Sequence, residues 1–236
     1  MLTRSKRRDA RSTVDDRALI STTVDGDGSL EVYRQLCVSL TLPSDVQPIV
    51  IGVTSALSGE GRTTVAVNLA RTIAEDMATP VTLVEADLEH PSLARRYGLP
   101  PSPGLSEVLR GERHIDEVRT TVADNMAVIP AGAVGLNSAI LFRQLAVFDP
   151  FHGESGLEGI VVLDLPPVIK HSYSVLAASV ADAIVLVVRA GVTPIDLVRE
   201  AINRLDQNPP QGVVLNAPRS SLPTWWPGGA GNGLNV

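Results

Sequence analysis

Ile49-Val50-Ile51-Gly52-Val53-Thr54-Ser55-Ala56-Leu57-Ser58-Gly59-Glu60-Gly61-Arg62-Thr63-Thr64 is the stretch on which the reading of this chain turns. Its first part is a short apolar, β-branched run, as expected of a buried strand. From Ala56 onward the spacing fits A/G-x-x-x-x-G-K-S/T at every place except Arg62, which stands where a lysine is expected. Strand, glycine-containing loop and helix start together form a phosphate-binding loop. The backbone N–H groups of Ser58 to Thr64 approach the anion closely because Gly59 and Gly61 permit it, and the helix dipole behind them favours negative charge. Arginine at position 62 keeps the charge of lysine but not its geometry, since a guanidinium is planar and bidentate where an ammonium is a compact point charge. ATP binding is therefore expected more firmly than rapid ATP chemistry.

Working outward, short apolar runs at 81–84, 127–129, 160–165, 184–188 and 213–215 are strands, and helical patterns fill 63–76, 137–147, 171–180 and 194–206. The alternation predicts an α/β fold, a doubly wound, mainly parallel sheet with helices on both faces. A further helix spans 29–40, capped by Ser29 and stopped by Pro43. Short helices are expected at 91–97 and 105–109, with 115–122 packing beside the sheet. Three parts follow: a flexible leader at 1–28, basic and then acidic, a nucleotide-binding domain at 29–217, and an irregular Gly/Pro/Trp tail at 218–236.

Composition agrees. At 236 residues with 44% hydrophobic and only 3% aromatic content, the core must be built from Val, Leu, Ile and Ala. A net charge of −6 argues against nucleic-acid binding. Arg4, Lys6, Arg7, Arg8 and Arg11 gather in the leader; they read as a solubilising tail or as an attraction to anionic lipid or an acidic partner. Cys37 is the single cysteine, so there is no disulfide framework, and it reads as a packing residue. No apolar run reaches the ~18–20 residues that span a bilayer.

A phosphate loop after the first strand of a parallel sheet calls for carboxylates at later strand ends. Val84-Glu85-Ala86-Asp87 closes the second strand and Val161-Val162-Leu163-Asp164-Leu165-Pro166-Pro167 the fourth. The alternation of a strand would point both carboxylates of the first set to one side, where they could meet a metal or an incoming hydroxyl. Thr63 completes the set as a hydroxyl ligand for Mg2+, with Asp87 and Asp164.

These residues and their flanks resemble the bacterial tyrosine kinases of capsule and exopolysaccharide assembly, within the deviant-Walker P-loop NTPases that include MinD and ParA. The likeness runs from about Ser29 to Asn216. It includes Glu31-Val32-Tyr33-Arg34, Gly59-Glu60-Gly61-Arg62-Thr63-Thr64 with Asn68-Leu69-Ala70, and Glu85-Ala86-Asp87-Leu88-Glu89-His90-Pro91 as Walker A′. Gly104-Leu105-Ser106-Glu107-Val108-Leu109, Pro130-Ala131-Gly132, Asp164-Leu165-Pro166-Pro167 as Walker B and Gly212-Val213-Val214-Leu215-Asn216 complete it.

The resemblance implies ATP and Mg2+ as cofactors and transfer or hydrolysis of the γ-phosphate. Arg62, Glu85, Asp87 and Asp164 are the catalytic set, Glu85 taking the tyrosine proton. Ser58, Gly59, Glu60, Gly61, Arg62, Thr63 and Thr64 hold the phosphates, and Asn216 faces the base. The implied partner is a membrane-embedded polysaccharide co-polymerase, with the protein in the cytoplasm or peripheral to the inner face of the plasma membrane and self-associated as a homo-oligomer. Several positions depart from the family pattern. Glu85 replaces an aspartate, Glu89 a basic residue and Tyr173 an aspartate, while Cys37 stands at the last basic place of the assembly helix. No tyrosine follows Tyr173, so a tail cluster for self-phosphorylation is not expected; Tyr33, Tyr97 and Tyr173 read as packing residues. Two other readings stay open: a non-catalytic nucleotide-responsive adaptor, and a MinD/ParA-type positioning ATPase, against which Ala56-Leu57-Ser58 lacks that group's signature lysine.

Overall fold

The computed structural model describes residues 19–22, 28–40, 48–135, 137–153, 157–170 and 172–216. The basic cluster at 4–11, Pro43 and the tail from 218 onward lie outside the described residues. Eight strands form one sheet: β1 (Leu19–Thr22), β2 (Ile49–Ser55), β3 (Val81–Glu85), β4 (Thr120–Ala123), β5 (Met126–Ile129), β6 (Ile160–Asp164), β7 (Ala183–Arg189) and β8 (Gly212–Asn216). Among the described residues seven α-helices accompany them: α1 (Gly28–Ser39), α2 (Arg62–Asp76), α3 (Leu93–Tyr97), α4 (Leu105–Leu109), α5 (Ser138–Phe148), α6 (Ser174–Ala178) and α7 (Ile195–Arg204). The strand order is β1-β8-β7-β2-β6-β3-β5-β4, and every pairing is parallel except β4 with β5.

The central strands carry apolar side chains on both faces, which is why their sequences show no polar alternation. Ile51, Val53, Leu83, Val185 and Val187 pack on one side with Tyr33 and Leu36 of α1, Val65, Leu69 and Ile73 of α2, and Leu93 of α3. Val50, Val84, Val161, Leu163, Ile184 and Leu186 pack on the other with Leu105 and Leu109 of α4, Leu141, Phe142 and Leu145 of α5, and Ala201 of α7. The fold is thus the doubly wound α/β sheet expected from the sequence.

Two strands were not expected. Leu19–Thr22 lies inside the segment read as a flexible leader, yet it pairs in parallel with β8, from Leu19 opposite Val213 to Thr22 opposite Asn216. β4 falls where 115–122 was read only as packing beside the sheet; a 3-10 turn at Ile115–Val118 precedes it, and its side chains are mostly exposed. Both are short edge strands that pair with a single neighbour, so their own hydropathy does not mark them. The helix expected at 171–180 is only Ser174–Ala178.

Tyr33 is buried, and its hydroxyl accepts a hydrogen bond from Asn68 Nδ2 at 3.1 Å. Tyr173 stacks on Phe142 with ring centroids 4.9 Å apart. Burial pushes the Cys37 thiol up to about 11, so it stays protonated and inert at neutral pH. Among the described residues no helix is long and apolar enough to cross a membrane.

At the N-terminal ends of the central strands β2 and β7, opposite the phosphate loop, His152 sits between two carboxylates. Its Nδ1 is 2.7 Å from Asp149 Oδ2 and its Nε2 is 3.1 Å from Asp182 Oδ2, while Asp182 also accepts the Val50 N–H at 2.7 Å. Burial by itself would lower the imidazole pKa, but the hydrogen bonds accepted by Asp182 and Asp149 outweigh it and raise the value above 6.5. A raised histidine pKa contributes stability that is complete below the unfolded value and disappears as pH climbs through the folded one. Denaturation midpoints are therefore expected to fall between pH 6 and pH 8, and His152→Gln is expected to flatten that part of the profile. An unchanged slope in the variant would show that the two carboxylates do not hold a protonated imidazole.

Candidate nucleotide-binding site

Strand register assembles the site. Asp164, the last residue of β6, lies opposite Val53 of β2 on one side and Glu85 of β3 on the other. The loop after β2, the segment after β3 and the segment after β6 consequently leave the sheet side by side. The post-β6 segment is tied to the β2 side by Leu165 N–H to Val53 O at 2.9 Å, Thr54 Oγ1 to Pro166 O at 2.8 Å and Val168 N–H to Ser55 O at 2.9 Å.

Gly61 ends the loop and caps α2 with φ 97°, a backbone conformation that side chains disfavour by about 1–2 kcal/mol. There is no room for one either: a Cβ there would lie 2.0 Å from Asn216 Nδ2. Ser58 and Gly59 are exposed at the mouth, and Thr64 is half-buried in the first turn of α2. Glu60 is buried, and its Oε2 accepts the Leu57 N–H at 2.8 Å while Oε1 accepts the Thr193 hydroxyl. Its side chain thus staples the loop from within and is not presented to a phosphate.

Thr63 Oγ1 donates to Asp164 Oδ2 at 2.6 Å. The other oxygen of Asp164, Oδ1, is buried with no hydrogen-bond partner among the described residues. Burial drives the Asp164 carboxyl up to about 7, against the lowering effect of the Thr63 hydroxyl and the Arg62 charge. A buried, partnerless oxygen beside a threonine hydroxyl is the donor chemistry a hard divalent cation requires. Thr63 and Asp164 therefore fit Mg2+.

Asp87, the third expected ligand, is turned elsewhere. Its Oδ2 receives Arg62 Nη2 at 3.0 Å and its Oδ1 the His90 N–H at 3.2 Å, while Arg62 Nη1 donates to Leu165 O. Both side chains are buried. Among the described residues no group of three or more His, Cys, Asp and Glu side chains is set to hold a metal.

The carboxylates of Glu85 and Asp87 take different partners. β3 ends at Glu85, so the strand alternation that would align their carboxylates does not reach Asp87. Glu85 is 1% exposed; its Oε1 accepts the N–H groups of Ser92 and Leu93, the latter at 2.8 Å, and its Oε2 that of Ala131 at 3.3 Å. Burial raises its pKa, with the three backbone donors pulling it back. The carboxylate binds α3 and the segment after β5 to the sheet. Asn216, expected to face the base, donates Nδ2 to Glu60 O at 2.9 Å, so it holds the loop. Sequence reading missed Thr193, which fixes Glu60 from 133 residues away, and Ser138, which donates to Glu89 at 3.2 Å beside the Tyr173 hydroxyl. No local pattern marks either residue.

A parallel sheet with a glycine-containing loop after β2 and buried acids at the ends of β3 and β6 is the architecture seen in P-loop NTPases. No family model matches the chain. Comparison with known proteins finds it similar, at low identity, to bacterial tyrosine kinases. It is 28% identical over 165 residues to the tyrosine-protein kinase YwqD of Bacillus subtilis (strain 168), covering 69% of each chain. EpsB of Ralstonia solanacearum is 29% identical over 206 residues, or 84% of this chain. The succinoglycan biosynthesis transport protein ExoP of Rhizobium meliloti (strain 1021) is 30% identical over 173 residues, or 71% of this chain. The chain spans about a quarter of EpsB (27%) and of ExoP (22%). Among solved structures, the VpsO kinase domain superposes with a TM-score of 0.66 at 28% identity, covering 72% of this chain and 85% of that one. The septum site-determining protein MinD of Pyrococcus horikoshii OT3, complexed with Mg-ADP, shares the fold at a TM-score of 0.59 and 21% identity, over 71% of this chain and 70% of its own.

Proposed function

We propose that the chain is an ATP-binding, kinase-like domain that works with a membrane polysaccharide co-polymerase in capsule or exopolysaccharide production, on the cytoplasmic side of the membrane. The observation that carries the nucleotide reading is the Thr63–Asp164 contact at the foot of the phosphate loop, with its partnerless carboxylate oxygen. Backbone N–H groups of 58–64 take the phosphates, and Thr63 and Asp164 hold Mg2+, which would neutralise charge developing on the γ-phosphoryl oxygens. Asp87 joins them once freed from Arg62. The polysaccharide process is supported by the kind of relatives the chain has, ExoP among them.

A second reading, a nucleotide-responsive adaptor that transfers no phosphate to tyrosine, is favoured by one specific observation: the Glu85 carboxylate is already engaged by three backbone donors. The two separate in one experiment on purified protein, combining a thermal-shift titration with Mg-ATP and a phosphate-release assay. Both expect stabilisation of about 2.7 kcal/mol at 100 times Kd. The kinase-like reading further expects magnesium-dependent turnover or phosphate transfer, whereas the adaptor reading expects none even with a co-polymerase fragment added. No shift with ATP would overturn both.

A further inference from the structure

We propose that Arg62 is a resident competitor for the divalent cation: it holds Asp87 until a nucleotide draws the guanidinium away, and only then is the metal site complete. The inference rests on the nucleotide-binding reading above. Its basis is the way one guanidinium fork is spent. Nη2 reaches Asp87 Oδ2 at 3.0 Å and Nη1 reaches Leu165 O, the residue that follows Asp164. Arg62 is 8% exposed and Asp87 4%, so each charge has the other as its main partner in place of bulk water. A cation arriving at Thr63 and Asp164 needs Asp87 as a third oxygen donor and finds it already neutralised.

Nucleotide resolves the competition through geometry. Arg62 is the first residue of α2, directly after Gly61, so phosphate oxygens bound by the loop lie within its province and offer the fork an equivalent bidentate partner. Moving there strips Asp87 of its cation, and the incoming metal replaces it. Arginine is suited to this role where lysine is not: one ammonium on a flexible stem cannot hold a carbonyl and a carboxylate in the fixed fork that Leu165 and Asp87 receive. The departure at position 62 thereby gains a physical consequence: metal affinity of the empty protein is reduced by the fraction of time that Asp87 is free.

The test uses Mn2+ alone as the probe, measured by electron paramagnetic resonance on the nucleotide-free full chain. Arg62→Met, which removes the competing charge at similar length, is expected to bind Mn2+ at least tenfold more tightly than wild type. Arg62→Lys is expected to fall between them. Equal affinities within twofold across the three proteins would overturn the proposal. If Arg62→Met does not fold, the side-chain N–H signals of the wild type, labelled with 15N-arginine, decide. ADP in the presence of EDTA is expected to shift the Arg62 signal away from its ligand-free position, and an unmoved signal in ADP-saturated protein overturns the proposal. Failure of ADP to bind at all would instead count against the nucleotide-binding reading, while the Mn2+ comparison stands independently.

Discussion

Asp164→Asn is expected to cut Mg-ATP turnover at least about 10³-fold and, at the same time, to make the nucleotide-free protein more stable above pH 7. The two effects have one origin. Asp164 is 1% exposed, and burial raises its carboxyl to about 7. A carboxyl whose folded pKa is raised contributes stability that is complete below its unfolded value and is lost as pH rises through the folded one. The ionised group is therefore a liability to the empty protein at pH 8, tolerated because a cation can claim it. Asparagine keeps an oxygen for the Thr63 hydroxyl but carries no charge to desolvate. It cannot serve as an anionic ligand, and losing several kcal/mol of metal stabilisation corresponds to the stated drop in rate. Urea denaturation in EDTA at pH 5, 6.5 and 8 checks the stability half: the advantage of Asp164→Asn is expected to grow with pH and level off above about 8. A variant equally stable at all three pH values, relative to wild type, would mean that Asp164 is not desolvated as described.

Glu85→Ala is expected to lower stability by about 3–5 kcal/mol, because it strands buried donors that each cost roughly 1–3 kcal/mol when unpaired. For a domain of this size that is a fall in Tm on the order of 10 °C. Glu85→Gln is expected to lose less. Its carbonyl oxygen can still accept Ser92 and Leu93 N–H, but its amide would then face the Ala131 N–H, donor against donor. Comparing melting temperature with phosphate transfer separates the structural role from the one implied by family resemblance. A proton acceptor predicts Glu85→Gln with wild-type melting and no transfer; a strut predicts a lowered melting temperature in proportion to the donors lost. The geometry supports the strut.

Much of the molecule was legible in the sequence for reasons that are local. The runs 49–53, 160–165 and 184–188 are apolar because β2, β6 and β7 are covered on both faces, and that requirement is written residue by residue. The loop from Ala56 to Thr64 is legible because anion binding needs backbone freedom at fixed spacing. Asp164 is legible because the parallel register places strand ends together. β1 and β4 were illegible: a short edge strand depends on its neighbour's open hydrogen-bond groups, and nothing in Leu19–Thr22 or Thr120–Ala123 names that neighbour.

By itself, then, the sequence determined the layered α/β architecture, the position of the phosphate loop and the presence of acids at the ends of β3 and β6. Those features follow from periodicity, glycine placement and strand ends. Only the tertiary structure decided what the polar groups do. Arg62 and Asp87 are 25 residues apart, Glu85 and Ala131 46, and Asn216 and Glu60 156. A buried polar side chain takes whichever partner the packing brings within about 3 Å, and its own residue type does not specify which one. For that reason the Glu85 carboxylate lies on backbone N–H groups of two distant segments, the Asn216 amide on Glu60 O, and the Arg62 guanidinium on the Asp87 carboxylate.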